Sequence, residues 1–200
     1  LFTVGILITN LITFGGTFLF AVTGLITLRE IFFHKRYGTL VALIISILSG
    51  ILIYVILLHY FGYDHIKSFI TASKIENEGG FLAFYAPLKY FLTRIEDIAE
   101  IALFLSIGIL SLLFHSNYLH LNILDIRDKI TSIFLAGICT LIFIFLLGAF
   151  KTGETARACL FIYPFIIIVL RNLEEETISS ITLFAGLQTI IMQTFGGYFW

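Results

Sequence analysis

Residues 39–58 read TLVALIISILSGILIYVILL, an apolar run without a charged residue. A helix needs about 20 residues of this kind to cross the roughly 30 Å hydrocarbon core of a bilayer. Further apolar runs recur along the chain, which is 59% hydrophobic and only 12% charged. Soluble domains contain about 45–50% apolar and about 25% charged residues. The run and the composition together predict an integral membrane protein.

The predicted fold is an all-α, polytopic transmembrane bundle with about five to six spans. The fifth predicted span is short, because its uninterrupted apolar part has 13 residues and would form only about 20 Å of helix. To cross the membrane it must also include residues 154–157; otherwise it is re-entrant. Pro164 favours a kink within it. The predicted spans are residues 1–28, 39–58, 98–114, 130–150, 154–170 and 177–200.

The longest predicted non-spanning segment is residues 60–97. Apolar residues recur there at helical spacing while charged residues fill other positions, a pattern typical of helices that lie in the membrane interface. Residues 77–80 contain two glycines that break the first helix, and Pro87 suits the first turn of the second. We therefore predict an external interfacial helix pair, of which the second helix leads into the third span.

The orientation is predicted from the loop between the first two spans. Arg29, Lys35 and Arg36 lie there, and the positive-inside rule places such a loop in the cytoplasm. Alternation then places residues 60–97 and 151–157 on the extracytoplasmic side. We expect the plasma membrane as the location. The net charge of −1 provides no basic field for a nucleic-acid partner.

Glu154 and Arg157 lie between two apolar runs and are the leading site candidates. An ionisable pair at the bilayer edge is costly and therefore indicates a functional site. Arg157 could bind a lipid phosphate through two hydrogen bonds, with Lys89, Arg94 or Lys151 adding positive charge. Alternatively, Glu154 and Arg157 form a salt bridge at i, i+3 that lets the fifth helix begin among the lipid headgroups.

Asp64 and Asp97 are weaker candidates for catalysis. They flank the external segment, and acid–base chemistry often uses a pair of carboxylates in contrasting environments. Either residue could instead cap a helix or remain a solvated charge. Cys139 and Cys159 lack the spacing of a zinc site. No ligand set for a divalent metal is identified, so a metal cofactor stays an open alternative.

Residues 153–157 read GETAR, followed by Leu160, Phe161 and Pro164. This segment resembles the G-E-x-x-R, aromatic or aliphatic, Pro segment of polytopic membrane glycosyltransferases of the GT-C type. Residues 188–200, a Gln in an apolar helix that closes on aromatic residues, are similar to the C-terminal part of the same proteins.

The resemblance implies transfer of a sugar from a polyprenyl-phosphate donor on the extracytoplasmic face. It further implies an inverting displacement with a carboxylate as base, and it assigns Arg157 to the donor phosphate or to Glu154. The family usually carries its base in an acidic first external loop, whereas residues 1–28 contain no Asp or Glu. We therefore expect that the natural protein extends upstream and that this chain is its C-terminal half.

Two functions are predicted. The first is a membrane glycosyltransferase whose partners are membrane lipid, a polyprenyl-phosphate sugar and an upstream half or partner subunit. The alternative is a non-enzymatic membrane subunit, a transporter component or an assembly factor, which docks a partner through the helix surface that carries Lys89, Arg94 and Glu96.

Overall fold

The computed structural model describes residues 2–12, 16–76, 81–114, 125–146 and 159–196, and these ranges contain helices and no strand. The last but one helix, α9, begins and ends with a 3₁₀ turn around an α-helical centre. The helices are α1 (Phe2–Ile12), α2 (Thr17–His34), α3 (Gly38–Phe61), α4 (His65–Glu76), α5 (Leu82–Tyr85), α6 (Pro87–Leu105), α7 (Ile107–Phe114), α8 (Lys129–Leu146), α9 (Leu160–Leu170) and α10 (Glu175–Gly196).

Four helices in the described ranges, α2, α3, α8 and α10, are long and apolar enough to cross a membrane. They confirm the prediction of an all-helical chain with membrane-length helices. The runs predicted at 39–58, 130–150 and 177–200 correspond to α3, α8 and α10, although α8 and α10 begin one and two residues earlier. Of the short predicted span 154–170, α9 covers the last 11 residues, and its beginning lies outside the described residues.

The predicted first span, 1–28, is divided into α1 and α2. Gly16 lies so close to α1 that a Cβ atom on it would be 2.5 Å from the Cα of Asn10. The hydroxyl of Ser46 on α3 donates to Thr3 at 3.2 Å, and Gly50 lies next to Leu7 one turn further on. These two contacts show that α1 runs parallel to α3. Since α2 and α3 form a hairpin and run in opposite directions, α1 folds back along α2. Gly16 permits this close approach because it has no Cβ atom.

The bundle core forms where α2 packs against α8 and α9. Small residues recur on α8 at every fourth position, Ser132, Ala136 and Thr140, and all three are buried. Small side chains let membrane helices approach closely. The Phe18 ring of α2 lies 3.8 Å, centroid to centroid, from that of Phe161 on α9. The buried core comprises Phe18, Val22, Ile101, Ala136, Leu141, Phe145, Cys159 and Ile162.

Three loops predicted to be cytoplasmic meet at one end of the bundle. Arg29, at the end of α2, donates from Nε to the carbonyl oxygen of Ile126 at 3.2 Å and from Nη2 to that of Arg127. Arg171, after α9, acts electrostatically on Asp128. Spans that alternate in direction bring every second loop to the same side of a membrane, and these contacts fit that arrangement.

The predicted third span, 98–114, does not form as a straight helix. α6 runs from residue 87 to residue 105, and α7 follows after a bend of 100°. At the bend, Ser106 has φ 86° and ψ 132°, a left-handed conformation that costs a non-glycine residue roughly 1–3 kcal/mol. Gln188 of α10 donates to the carbonyl of Leu103 at 2.7 Å and accepts from the N–H of Ile107 at 2.9 Å. The contact with α10 therefore stabilises a break that the local sequence does not require.

The predicted external segment contains α4, α5 and the first half of α6. Pro87 is at the first turn of α6, as expected. The turn predicted at residues 77–80 lies outside the described residues. Large apolar side chains such as Phe84 and Leu88 are exposed in this segment, and the location of these helices in the membrane interface stays a prediction.

Gly137→Ala should destabilise the bundle, because a Cβ atom at this position on α8 would be 2.6 Å from the Cβ of Phe165 on α9. Overpacking of this kind costs about 1–3 kcal/mol. The matched control is Gly24→Ala on α2, where no atom lies within 4 Å of the added Cβ. Thermal unfolding in detergent should place only the Gly137 variant below the unmodified protein; equal stability of the two variants would contradict this packing.

Asp128 caps α8 and should make its stability depend on pH. The backbone N–H of Thr131 donates to Asp128 Oδ2 at 2.8 Å, and this bond, with Arg171, lowers the pKa of Asp128 below its ordinary value of 3.8. The capping stabilisation is therefore present above that value and is lost as the pH falls through the lowered pKa. Asp128→Asn keeps an acceptor without a titratable group. Unfolding of both proteins, measured at a series of pH values from neutral downward, should show that the difference in their stability shrinks on acidification.

Candidate buried charge cluster

On α6, an ion pair lies towards the protein interior, whereas several large apolar side chains are exposed. Asp97 is 0% exposed and the side chain of Arg94 is 12% exposed, whereas Leu88 and Phe91 are 73% and 62% exposed. A soluble protein would bury the leucine and phenylalanine and expose the charges. This inversion is the arrangement expected when hydrocarbon surrounds the helix and the protein interior holds the polar groups.

Arg94 is held by contacts on several sides. Its Nη2 atom is 3.0 Å from Oδ2 of Asp97, one turn along α6. The guanidinium carbon lies 5.1 Å from the centre of the Tyr90 ring and 5.0 Å from that of Phe145 on α8, within the range of cation–π attraction. The Tyr90 hydroxyl donates to the carbonyl oxygen of Phe145. Arg94 therefore joins α6 to the end of α8.

Two residues of the adjoining α9 region complete the cluster. Cys159 is fully buried and interacts electrostatically with Asp97, Glu100 and Arg94. Tyr163 interacts with Cys159 and Glu100, and its buried hydroxyl makes no hydrogen bond within the part of the chain that the structure describes. We refer to Arg94, Asp97, Glu100, Cys159 and Tyr163 as the buried charge cluster; Asp97 and Cys159 are buried, and the other three are half-buried.

Sequence reasoning identified Arg94 and Asp97 as candidates but missed the other three. Glu100 has a sequence signal, since Arg94, Asp97 and Glu100 follow one another at intervals of three on one helix. Cys159 and Tyr163 have no comparable signal, because only tertiary packing brings α9 to α6.

Asp64, the other candidate carboxylate, lies at the N-terminus of α4. Its Oδ1 atom accepts from the backbone N–H of Lys67 at 2.9 Å and from the hydroxyl of Tyr54 at 3.5 Å. The carbonyl oxygen of Asp64 accepts from the N–H of Ser68 at 3.0 Å. These contacts give Asp64 the geometry of a helix cap. Asp64 and Asp97 thus have different partners and different roles in the fold.

The remaining candidates lie on other surfaces or outside the described residues. Lys89 and Glu96 are exposed on α6, and their spacing of seven residues places them on one side of the helix. Arg94 points inward, so it does not share the docking surface that was predicted for these three residues. Lys151, Glu154 and Arg157 lie outside the described residues.

An apolar groove of about 380 Å³ lies between α1, α2 and α3. Ligand pockets in proteins commonly occupy about 300–1,000 Å³. Leu7, Phe20 and Ile51 are among the residues that form its walls, and Tyr54 and His65 line it where α3 gives way to α4. The groove can therefore accommodate a hydrocarbon chain with a polar group near the corner between α3 and α4.

Within the described ranges, His, Cys, Asp and Glu form no group of three that could hold a metal ion.

Four helices that are long and apolar enough to cross a membrane indicate a class, the helical integral membrane proteins, and Asp97 and Arg94 face the interior of the bundle. No protein-family model, curated protein or solved structure matches the chain with significance. The comparisons therefore assign no family, and the resemblance to GT-C glycosyltransferases stays a prediction.

Arg94→Met should destabilise the protein strongly, because it leaves the Asp97 carboxylate buried without its guanidinium. Removal of one partner of a buried ion pair costs about 3–5 kcal/mol. The double variant Arg94→Met/Asp97→Leu should lose less than the sum of the two single variants. Chemical unfolding in detergent measures all three, and Lys89→Met on the exposed side of α6 is the control. Additive losses would show that the two residues do not depend on each other.

Proposed function

We propose that this protein is a membrane glycosyltransferase-like enzyme that takes a sugar from a polyprenyl-phosphate donor at the extracytoplasmic side. The observation that carries the proposal is the burial of Asp97 and the near-burial of Arg94 on α6, a helix whose exposed residues are apolar except for Lys89 and Glu96. Charges kept inside a membrane bundle are costly, and they typically mark substrate or ion sites.

The donor phosphate is assigned to Arg157 rather than to Arg94. Arg94 already pairs with Asp97 and lies against two aromatic rings, so binding a phosphate would require it to leave a buried carboxylate. Arg157 and Glu154 belong to the GETAR segment that carries the resemblance to GT-C enzymes. Cys159 lies two residues after Arg157 and is buried next to Asp97.

The isoprenoid part of the donor requires an apolar surface. The groove between α1, α2 and α3 has the volume and the lining for a hydrocarbon chain. The residues of α3 that face away from the protein are also apolar, which would give a long chain a continuous apolar path. The groove supports a lipid-linked substrate in preference to a water-soluble one.

In the proposed reaction, a hydroxyl of the acceptor attacks the anomeric carbon of the sugar. The bond from that carbon to the phosphate oxygen breaks, polyprenyl phosphate leaves with the electron pair, and the proton of the hydroxyl passes to a carboxylate. Asp64 acts as a helix cap and Asp97 is neutralised by Arg94, so we assign both a structural role and neither the role of base.

A non-enzymatic docking subunit is the second candidate, and α10 favours it. None of the 22 residues of α10 is buried, although the helix carries Ser, Thr and Gln side chains that usually face another helix in a membrane. A partner subunit could cover this helix, while Lys89 and Glu96 remain accessible on α6.

Arg157→Ala should abolish transfer without unfolding the protein. The assay measures release of polyprenyl phosphate by mass spectrometry, with the protein in liposomes that contain polyprenyl-phosphate pentoses or hexoses. The control is Arg36→Ala, which removes an exposed arginine from the predicted cytoplasmic loop and should retain full turnover. Loss of turnover only in the Arg157 variant, with unchanged unfolding temperature, supports the enzyme. If the unmodified protein releases no polyprenyl phosphate from any donor, the docking subunit is the better assignment.

A further inference from the structure

Gln188 of α10 lies between two backbone groups that would bond to each other in an unbroken helix. In a continuous α-helix, the N–H of Ile107 donates to the carbonyl of Leu103, four residues earlier. Here the N–H of Ile107 donates to Gln188 Oε1 at 2.9 Å, and Gln188 Nε2 donates to the Leu103 carbonyl at 2.7 Å. One side-chain amide thus takes the place of this helical hydrogen bond, and the Leu103 carbonyl also accepts from the N–H of Ser106 at 3.2 Å.

The same two backbone groups would also be paired if α6 and α7 formed one straight helix. In that form Ile107 would bond directly to Leu103, and Ser106 would leave its left-handed conformation. Residues 98–114 contain no proline that would prevent a continuous helix. A straight helix over residues 87–114 would be about 42 Å long, enough to cross a bilayer with some tilt.

The bent form depends on α10. Besides the two hydrogen bonds of Gln188, the Phe184 ring packs so closely on Gly108 that a Cβ there would be 3.0 Å from Phe184 Cδ1. The hydroxyl of Ser106 is buried at the bend and has no hydrogen-bond partner among the described residues, which adds to the cost of this form. Contacts with α10 therefore offset local costs that a straight helix would not have.

From these contacts we propose that the junction of α6 and α7 is a two-state conformational device, bent when Gln188 bridges Leu103 and Ile107 and straight when α10 moves away. Straightening would swing α7 through 100° relative to the helix that carries Arg94 and Asp97. Any ligand or partner that displaces α10 would then change the direction of α7 relative to α6.

The test measures the distance between spin labels at the two ends of the segment. Leu88→Cys and Phe114→Cys carry the labels, because both positions are exposed. Cys139 is also exposed and is replaced by Ser, whereas Cys159 is fully buried and is kept. From 1.5 Å of rise per residue, the two Cα atoms lie about 28 Å apart for a bend of 100° and about 39 Å apart in a straight helix. Double electron–electron resonance in lipid nanodiscs resolves this difference.

The unmodified junction should give the shorter distance, and Gln188→Leu should move the population towards the longer one by about 11 Å. The control is Gln193→Leu, an exposed glutamine on the same helix, which should leave the shorter distance unchanged. The device does not exist if Gln188→Leu keeps the shorter distance. It is equally excluded if the longer distance already predominates in the unmodified protein.

If Gln188→Leu does not fold, a second pair of variants tests the two-state junction. Ser106→Gly relieves the left-handed conformation and should keep the shorter distance, whereas Ser106→Ala favours a helical conformation and should populate the longer one. Identical distance distributions in these two variants would overturn the two-state interpretation.

Discussion

Hydrocarbon offers no hydrogen bonds, so each backbone N–H or C=O left unpaired in a membrane costs several kcal/mol. Helices satisfy this constraint along their length but not at their ends or breaks. In this protein, side chains bond the backbone at several such places. Arg29 bonds the carbonyls of Ile126 and Arg127 ahead of α8, Tyr90 bonds that of Phe145 near the end of α8, and Gln188 bonds both groups at the bend after α6. Among the described residues, these long-range polar contacts thus serve helix termini or a helix break.

The same constraint explains how the charges are distributed. Asp97 cannot face hydrocarbon without a partner, so α6 turns it inward, where Arg94 lies one turn away. Rings of Tyr90 and Phe145 then cover the guanidinium. A buried ion pair is a weak source of stability, because desolvation offsets much of the attraction. It does, however, restrict how α6 can rotate relative to α8, since most other rotations would expose a charge to lipid.

Features that depend on local sequence were predictable, and features that depend on distant contacts were not. The apolar runs of α3, α8 and α10 are continuous, so their helices could be located to within a few residues at their starts. The break between α1 and α2 also had a local signal, the glycines at residues 15–16, which the prediction of a single span ignored. The bend at Ser106 had none, because it depends on Gln188, 82 residues further along the chain. Arg94 and Asp97 were each predicted as site candidates but not as a pair, and the pattern alone does not say whether charges face water or protein. The GETAR segment lies outside the described residues, so its proposed role still rests on sequence.

The close fit between Gly137 of α8 and Phe165 of α9 has a consequence for biosynthesis. α9 has 11 residues, about 17 Å of helix at 1.5 Å per residue, and is too short to insert stably by hydrophobicity alone. It needs a docking surface, and the residues that provide this surface, on α2 and α8, are synthesised before it. A ribosome making the chain from its N-terminus therefore releases the short helix only after the surface that receives it can assemble. These segments are therefore synthesised in the order in which they assemble.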